Sequence, residues 1–116
     1  MKFSIDDEGR AWVGGDVVKD AKVFSRRTKI REGLVDGRYG FHKRFDNGWT
    51  VSVQWGSGNY GDNKNARDPS PESGTAEVAA RKDHGAYHTW PDGDDVLGYQ
   101  TVDEVAKLLE QIGGWS

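Results

Sequence analysis

The chain has 116 residues, enough for one domain with one core. Hydrophobic residues make up 34% and the net charge is -3, so it has neither the apolar runs of a membrane-spanning chain nor the strong positive balance of a general nucleic-acid binder. Five Trp, four Tyr and four Phe supply large apolar surfaces instead, and the lack of Cys excludes a disulfide framework or a thiolate metal site.

The opening MKFSIDDEGR holds no apolar run of signal-peptide length, so a cytoplasmic location is expected. Lys2 to Ile5 and Arg10 to Val13 flank the turn Asp6-Asp7-Glu8-Gly9 and read as a short hairpin, which Gly14-Gly15 breaks. Val17-Val18 and Val23-Phe24 lie in a charged segment that is strand or irregular, and Thr28 to Leu34 has no clean period. From Tyr39 the pattern sharpens: Tyr39, Phe41, Lys43 and Phe45 alternate with Gly40, His42, Arg44 and Asp46. Asn47-Gly48 then predicts a type I′ hairpin turn, which needs positive φ at both central residues. Trp49, Val51, Val53 and Trp55 point one way and Thr50, Ser52 and Gln54 the other, as in the centre of an antiparallel sheet with one apolar face.

After the loop discussed below, Thr75 to Lys82 (TAEVAARK) reads as a strand, with helix competing because Ala, Glu and Arg are good helix formers. Asp83-His84-Gly85 turns the chain into Ala86 to Trp90, and Pro91-Asp92-Gly93 marks another turn. Asp95 to Gln100 is a short strand or the lead-in to a helix. Thr101 and Glu104 form a capping-box pattern; Val102, Val105, Leu108, Leu109 and Ile112 then mark one apolar stripe, and Gly113-Gly114 ends it. The expected architecture is α+β: one domain over 1–116, a mostly antiparallel sheet with one C-terminal helix packed on its apolar face. Residues 1–38 supply N-terminal strands and a basic segment, and 39–112 the sheet, a long loop and the helix.

That loop, 56–74, reads GSGNYGDNKNARDPSPESG. Ordering it costs about 1–2 kcal/mol of backbone entropy per residue, with little apolar surface to offset the cost. Loops beyond about 12–15 residues are usually functional or disordered, so an external partner is expected to give this one its shape. Its backbone N–H groups between Ser57 and Asp62 suit an anion, with Lys64 and Arg67 adding positive charge and Tyr60 a stacking surface. The spacing matches neither a Walker loop nor a dinucleotide fingerprint.

Charge is divided unevenly. Lys19 to Arg44 holds nine basic residues against three acidic, and Phe45 onward five basic against twelve acidic. Such a division favours oriented docking over general adhesion. The candidate binding residues are therefore Ser57, Asn59, Tyr60, Asp62, Asn63, Lys64 and Arg67 of the loop, with Arg26, Arg27, Lys29 and Arg31 of the basic segment. His84 and His88 are four apart, but a strand-turn-strand context does not bring both rings to one side, and PDGDD lacks the further oxygen ligands of a calcium loop. No metal, cofactor or catalytic residue is expected, since no nucleophile elbow, triad or carboxylate pair stands out.

FDNGWTVSVQWGSGNYGDN, TAEVAARK and DDVLGYQTVDEVAKLLEQI together resemble a pattern found in small proteins of bacteriophages and actinobacterial prophages: an aromatic NGW hairpin, a Gly/Asn-rich loop with a Tyr, a strand rich in Glu, Val and Ala, and a DDVLGY step into a terminal helix. The resemblance covers about Tyr39 to Ile112. It implies a viral accessory protein of a kind that commonly binds a host factor, sometimes a component of antiviral defence; with no catalytic motif or signal segment in the chain, the leading expectation is a non-enzymatic protein of that kind in the host cytoplasm. Two further expectations stand beside it: capture of a nucleotide signal by the loop, between subunits of a homo-oligomer, and nucleic-acid binding through Arg26, Arg27, Lys29 and Arg31.

Overall fold

The computed structural model describes residues 1–116. Strands β1 (Phe3–Ile5), β2 (Ala11–Val13) and β3 (Asp16–Val17) form a small antiparallel sheet. Its first turn is organised by Asp6, whose carboxylate accepts from the Glu8 and Arg10 N–H groups, from Arg10 Nε at 2.7 Å and from Trp12 Nε1 at 2.8 Å. These donors, Trp12 foremost, hold the Asp6 carboxyl far below its usual range.

The second sheet is an antiparallel meander in the order β4 (Ala21–Arg31), β5 (Leu34–Arg44), β6 (Trp49–Gly56), β7 (Thr75–Lys82), β8 (Leu97–Thr101). Helix α1 (Val102–Ile112) follows directly, with Thr101 ending the strand and capping the helix. The capping box forms: Thr101 Oγ1 accepts from Glu104 N and Glu104 Oε1 accepts from Thr101 N. The structure is thus α+β, and the helix packs against β2, β6 and β8.

Alternation fixes the core. Tyr39, Phe41, Val51, Val53, Trp55, Val78 and Ala80 bury one face of the meander against Phe3, Ala11, Val13, Val102, Val105 and Ile112. Phe3 stacks on Trp55 with ring centroids 5.6 Å apart. The apolar face is therefore covered by the small sheet as well as the helix. The opposite face is open.

Two local expectations are corrected. The Asn47-Gly48 turn is not type I′: Phe45 to Gly48 closes with Gly48 N donating to the Phe45 carbonyl, and positive φ falls on Gly48 (+89°), while Asn47 has none. This is a type I turn followed by a glycine bulge. It leaves the Asn47 amide free to donate to the carbonyls of Ile112 and Trp115, at 2.8 and 2.9 Å, which caps the helix end from across the fold. Second, Ala86 to Trp90 is no regular strand: only Tyr87 bridges Arg81, since His88 and Trp90 turn inward to pack with Trp49 and Trp115. The helix ends at Gly113 as expected, with Gly113 in right-handed geometry (φ -61°). The charged segment left open between strand and irregular structure is regular: β4 and β5 are 11-residue strands of a hairpin turning at Glu32-Gly33. Its outer half carries little buried surface, so no two-residue period marks it.

Candidate functional site

Loop 57–74 has an internal shape. The N–H groups of Ser57, Gly58, Asn59, Tyr60 and Asp62 donate to the Gly37 carbonyl, the Lys64 carbonyl, the Gly56 carbonyl, Glu77 Oε2 and Thr75 Oγ1. Gly56 can start the loop because its φ is +107° and a Cβ there would strike the Gly37 carbonyl. Side chains complete the fastening. Ser57 Oγ accepts from Gly37 N, Asp62 Oδ1 accepts from Thr75 Oγ1 at 2.8 Å, and Asn63 Nδ2 donates to the Ser70 and Glu72 carbonyls. Asn59 is 8% exposed, and Pro69 is fully buried.

Both loop expectations are thereby corrected. The chain itself shapes the segment, and five of the six amides from Ser57 to Asp62 that suited a phosphate are spent, that of Gly61 excepted. Ser57, Asn59, Asp62 and Asn63 are fastening residues.

The loop is also fastened to the β4–β5 hairpin. Residues 67–69 run along the core-side face of the β4–β5 hairpin: the Arg67 carbonyl accepts from Val35 N at 2.7 Å, Asp68 pairs with Arg27, and Pro69 accepts from Tyr39 Oη. The Arg27 guanidinium holds the Asp68 carboxyl below its usual range. The Arg67 guanidinium lies near Gly33 at the hairpin tip. Among the candidate residues, then, Arg26, Arg27, Lys29 and Arg31 share β4, with Arg26 on the open face and Arg27 and Lys29 on the core-side face, and Arg67 joins them at the hairpin tip, while Tyr60 and Lys64 sit elsewhere, with Lys64 Nζ 4.1 Å from the Tyr60 ring centroid. Arg27 is engaged with Asp68; Arg26, Lys29, Arg31 and Arg67 form no ion pair.

The buttressed hairpin presents an exposed outer half. Register places Arg26 opposite Arg38 and Thr28 opposite Asp36, and Ile30 is 59% exposed. The long outer edge of β4 pairs with nothing. Arg38 pairs with Asp36 alongside.

Further along the open face lies a cleft of about 570 Å³ that the sequence reading did not single out. Its floor is the register row His42, Ser52, Ala79; one flank is Gln54 beside Glu77, the other Thr50 beside Arg81. The turn around His84 and the stretch Asp95-Val96 wall it. His42 stacks on Phe24 (5.3 Å between centroids), and burial, aided by Lys22, lowers its pKa, so the ring is neutral at pH 7. Opposite Glu77, the pairing slips so that Gly98 and Tyr99 face one residue, and Tyr99 has φ +55°. No pattern could have revealed this cleft, because it arises from the register of three strands.

No helix is long and apolar enough to cross a membrane. No family model, curated protein or solved structure matches the chain.

Proposed function

We propose that the protein is a non-enzymatic binding protein, of the phage accessory kind its sequence resembles, that modulates a host factor by docking through the basic β4–β5 hairpin. One observation carries this reading: Arg26, Lys29, Arg31 and Arg67 form no ion pair, on an exposed hairpin that also presents Ile30 and is fastened by residues 67–69. Unneutralised cations on a surface that also offers an apolar residue suit an acidic protein surface, and steering by them accelerates encounter. The net charge of -3 disfavours nucleic acid as the partner, since the acidic remainder of the molecule would meet the phosphates as well.

The test is parallel capture from host extract with the wild-type chain and with Arg26→Glu, Lys29→Glu and Arg31→Glu combined, followed by binding kinetics with the purified captured protein. The wild type is expected to retain a partner that the triple reversal loses, and its association should slow with added salt. Equal recovery by both removes the hairpin from the account. DNA or RNA as the retained species, with affinity falling steeply with salt, would replace a protein partner by nucleic acid.

A further inference from the structure

We infer that the cleft on the open sheet face is a second site, which binds a nucleotide: a planar ring bearing N–H donors, joined to a phosphate. Three independent features converge there. The first is the placement of exposed aromatic surface. Only five large apolar side chains are strongly exposed, and one of them, Tyr87, lines this cleft. An exposed tyrosine at the rim of a depression suits a binding surface, because it offers a rigid face at low entropic cost and a polar tip.

The second feature is the separation of polar groups along β7. Glu77 and Arg81 lie four residues apart on the same side of the strand, about 13 Å at roughly 3.3 Å per residue. Arg81 spends Nε on the Gly85 carbonyl at 2.8 Å, which holds its guanidinium 5.7 Å from the Tyr87 ring centroid and leaves the outer N–H groups to a ligand. Lys82 also lines the cleft, as do two aspartates: Asp83, which Arg44 neutralises, and Asp95, which forms no ion pair. The Arg81 end takes an anion, for which the guanidinium fork matches phosphate. At the other end Glu77 has one oxygen committed to Tyr60 and one free, beside the Gln54 amide, so that end accepts N–H groups.

The third feature is the floor between the ends. Ala79 and Ser52 are small, so the floor is low beside the Phe24–His42 pair, and the Gln54 amide folds onto it to donate to Ser52 Oγ at 2.7 Å. A flat ring fits over Ala79 beside that amide. Acceptor end, low floor and cationic end thus follow one another in the order of base edge, base and phosphate. The bulge opposite Glu77, with bulky Tyr99 held at positive φ, is the kind of local strain that accompanies binding sites.

The test is titration calorimetry with the full chain against GMP, CMP, AMP, UMP and inorganic phosphate, with folding of each variant checked by melting temperature. Saturable binding is expected for nucleotides and at least tenfold weaker binding for phosphate alone. Arg81→Ala should weaken nucleotide binding at least tenfold; Ala79→Leu, which fills the floor without touching either end, should abolish it. Glu77→Gln should narrow the preference among bases. The triple hairpin reversal should bind nucleotide as the wild type does, which separates this site from the docking surface. No saturable heat with any nucleotide, phosphate binding as tightly as the nucleotides, or unchanged affinity in folded Ala79→Leu would each overturn the assignment.

Discussion

Loop 57–74 and strand β4 invert what their sequences suggest. The loop, rich in Gly, Asn, Ser and Pro, looks like a segment without a shape of its own, yet the amides of Ser57, Gly58, Asn59, Tyr60 and Asp62 are engaged and Asn59 and Pro69 are buried. β4 is regular and hydrogen-bonded to β5 along its length, yet from Ser25 to Arg31 every residue is exposed and its outer edge is unpaired. Order and availability are separate properties. A segment whose polar groups are satisfied internally has little left to offer a partner, whereas an ordered strand with bare cations and an open edge has a great deal.

The hardest blow to the loop should come from Trp55→Ala. Trp55 is fully buried, stacks on Phe3 and donates Nε1 to the Pro71 carbonyl at 2.9 Å, so the loop and core should loosen together, at a cost of about 3–5 kcal/mol in chemical denaturation. A loss far below that would mean the loop end contributes nothing to the fold. Thr75→Val is the finer probe: it preserves shape but removes the hydroxyl that both accepts from Asp62 N and donates to its carboxylate, and should cost about 1 kcal/mol. Hydrogen exchange at Tyr60 and Asp62 should accelerate in that variant; if those amides already exchange freely in the wild type, the contrast between the two regions fails.

The hairpin should respond oppositely. Arg26→Glu, Lys29→Glu and Arg31→Glu together should shift stability by no more than about 0.5 kcal/mol, while slowing association with the captured partner roughly tenfold or more. Smallest of all is an acid effect at the joint between the regions. Arg27 lowers the folded-state pKa of Asp68, so the pair contributes fully above the ordinary carboxyl value of 3.8 and is lost as pH falls below it toward the lowered value. Asp68→Asn should flatten that part of the stability profile; an unchanged profile would show that the joint carries no charge-linked stability.

What could be read from the chain was local. The Thr101–Glu104 box lies within four residues, and the alternation from Tyr39 to Trp55 records a buried face directly. Asn47-Gly48 marked the hairpin but not its turn type, because the Asn47 amide is committed to Ile112 and Trp115, 65 and 68 residues away. The loop was misread for the same reason: Tyr39, Trp55 and Thr75 satisfy it from distant positions, and no composition rule counts donors that far apart. Arg26, Lys29 and Arg31 were legible as a basic run, whereas the cleft between Glu77 and Arg81 required knowing which strands lie side by side.

The clasp at Asn47 also bears on how the molecule is made. Its amide needs the carbonyls of Ile112 and Trp115, and Trp49 Nε1 donates to the Ser116 carbonyl, so the ribosome must pass Ser116 before this fastening can close in full. Until then the meander can pair, but its hairpin turn and helix tail stay separate, and a nascent chain stalled before Ile112 would lack the lock that joins them.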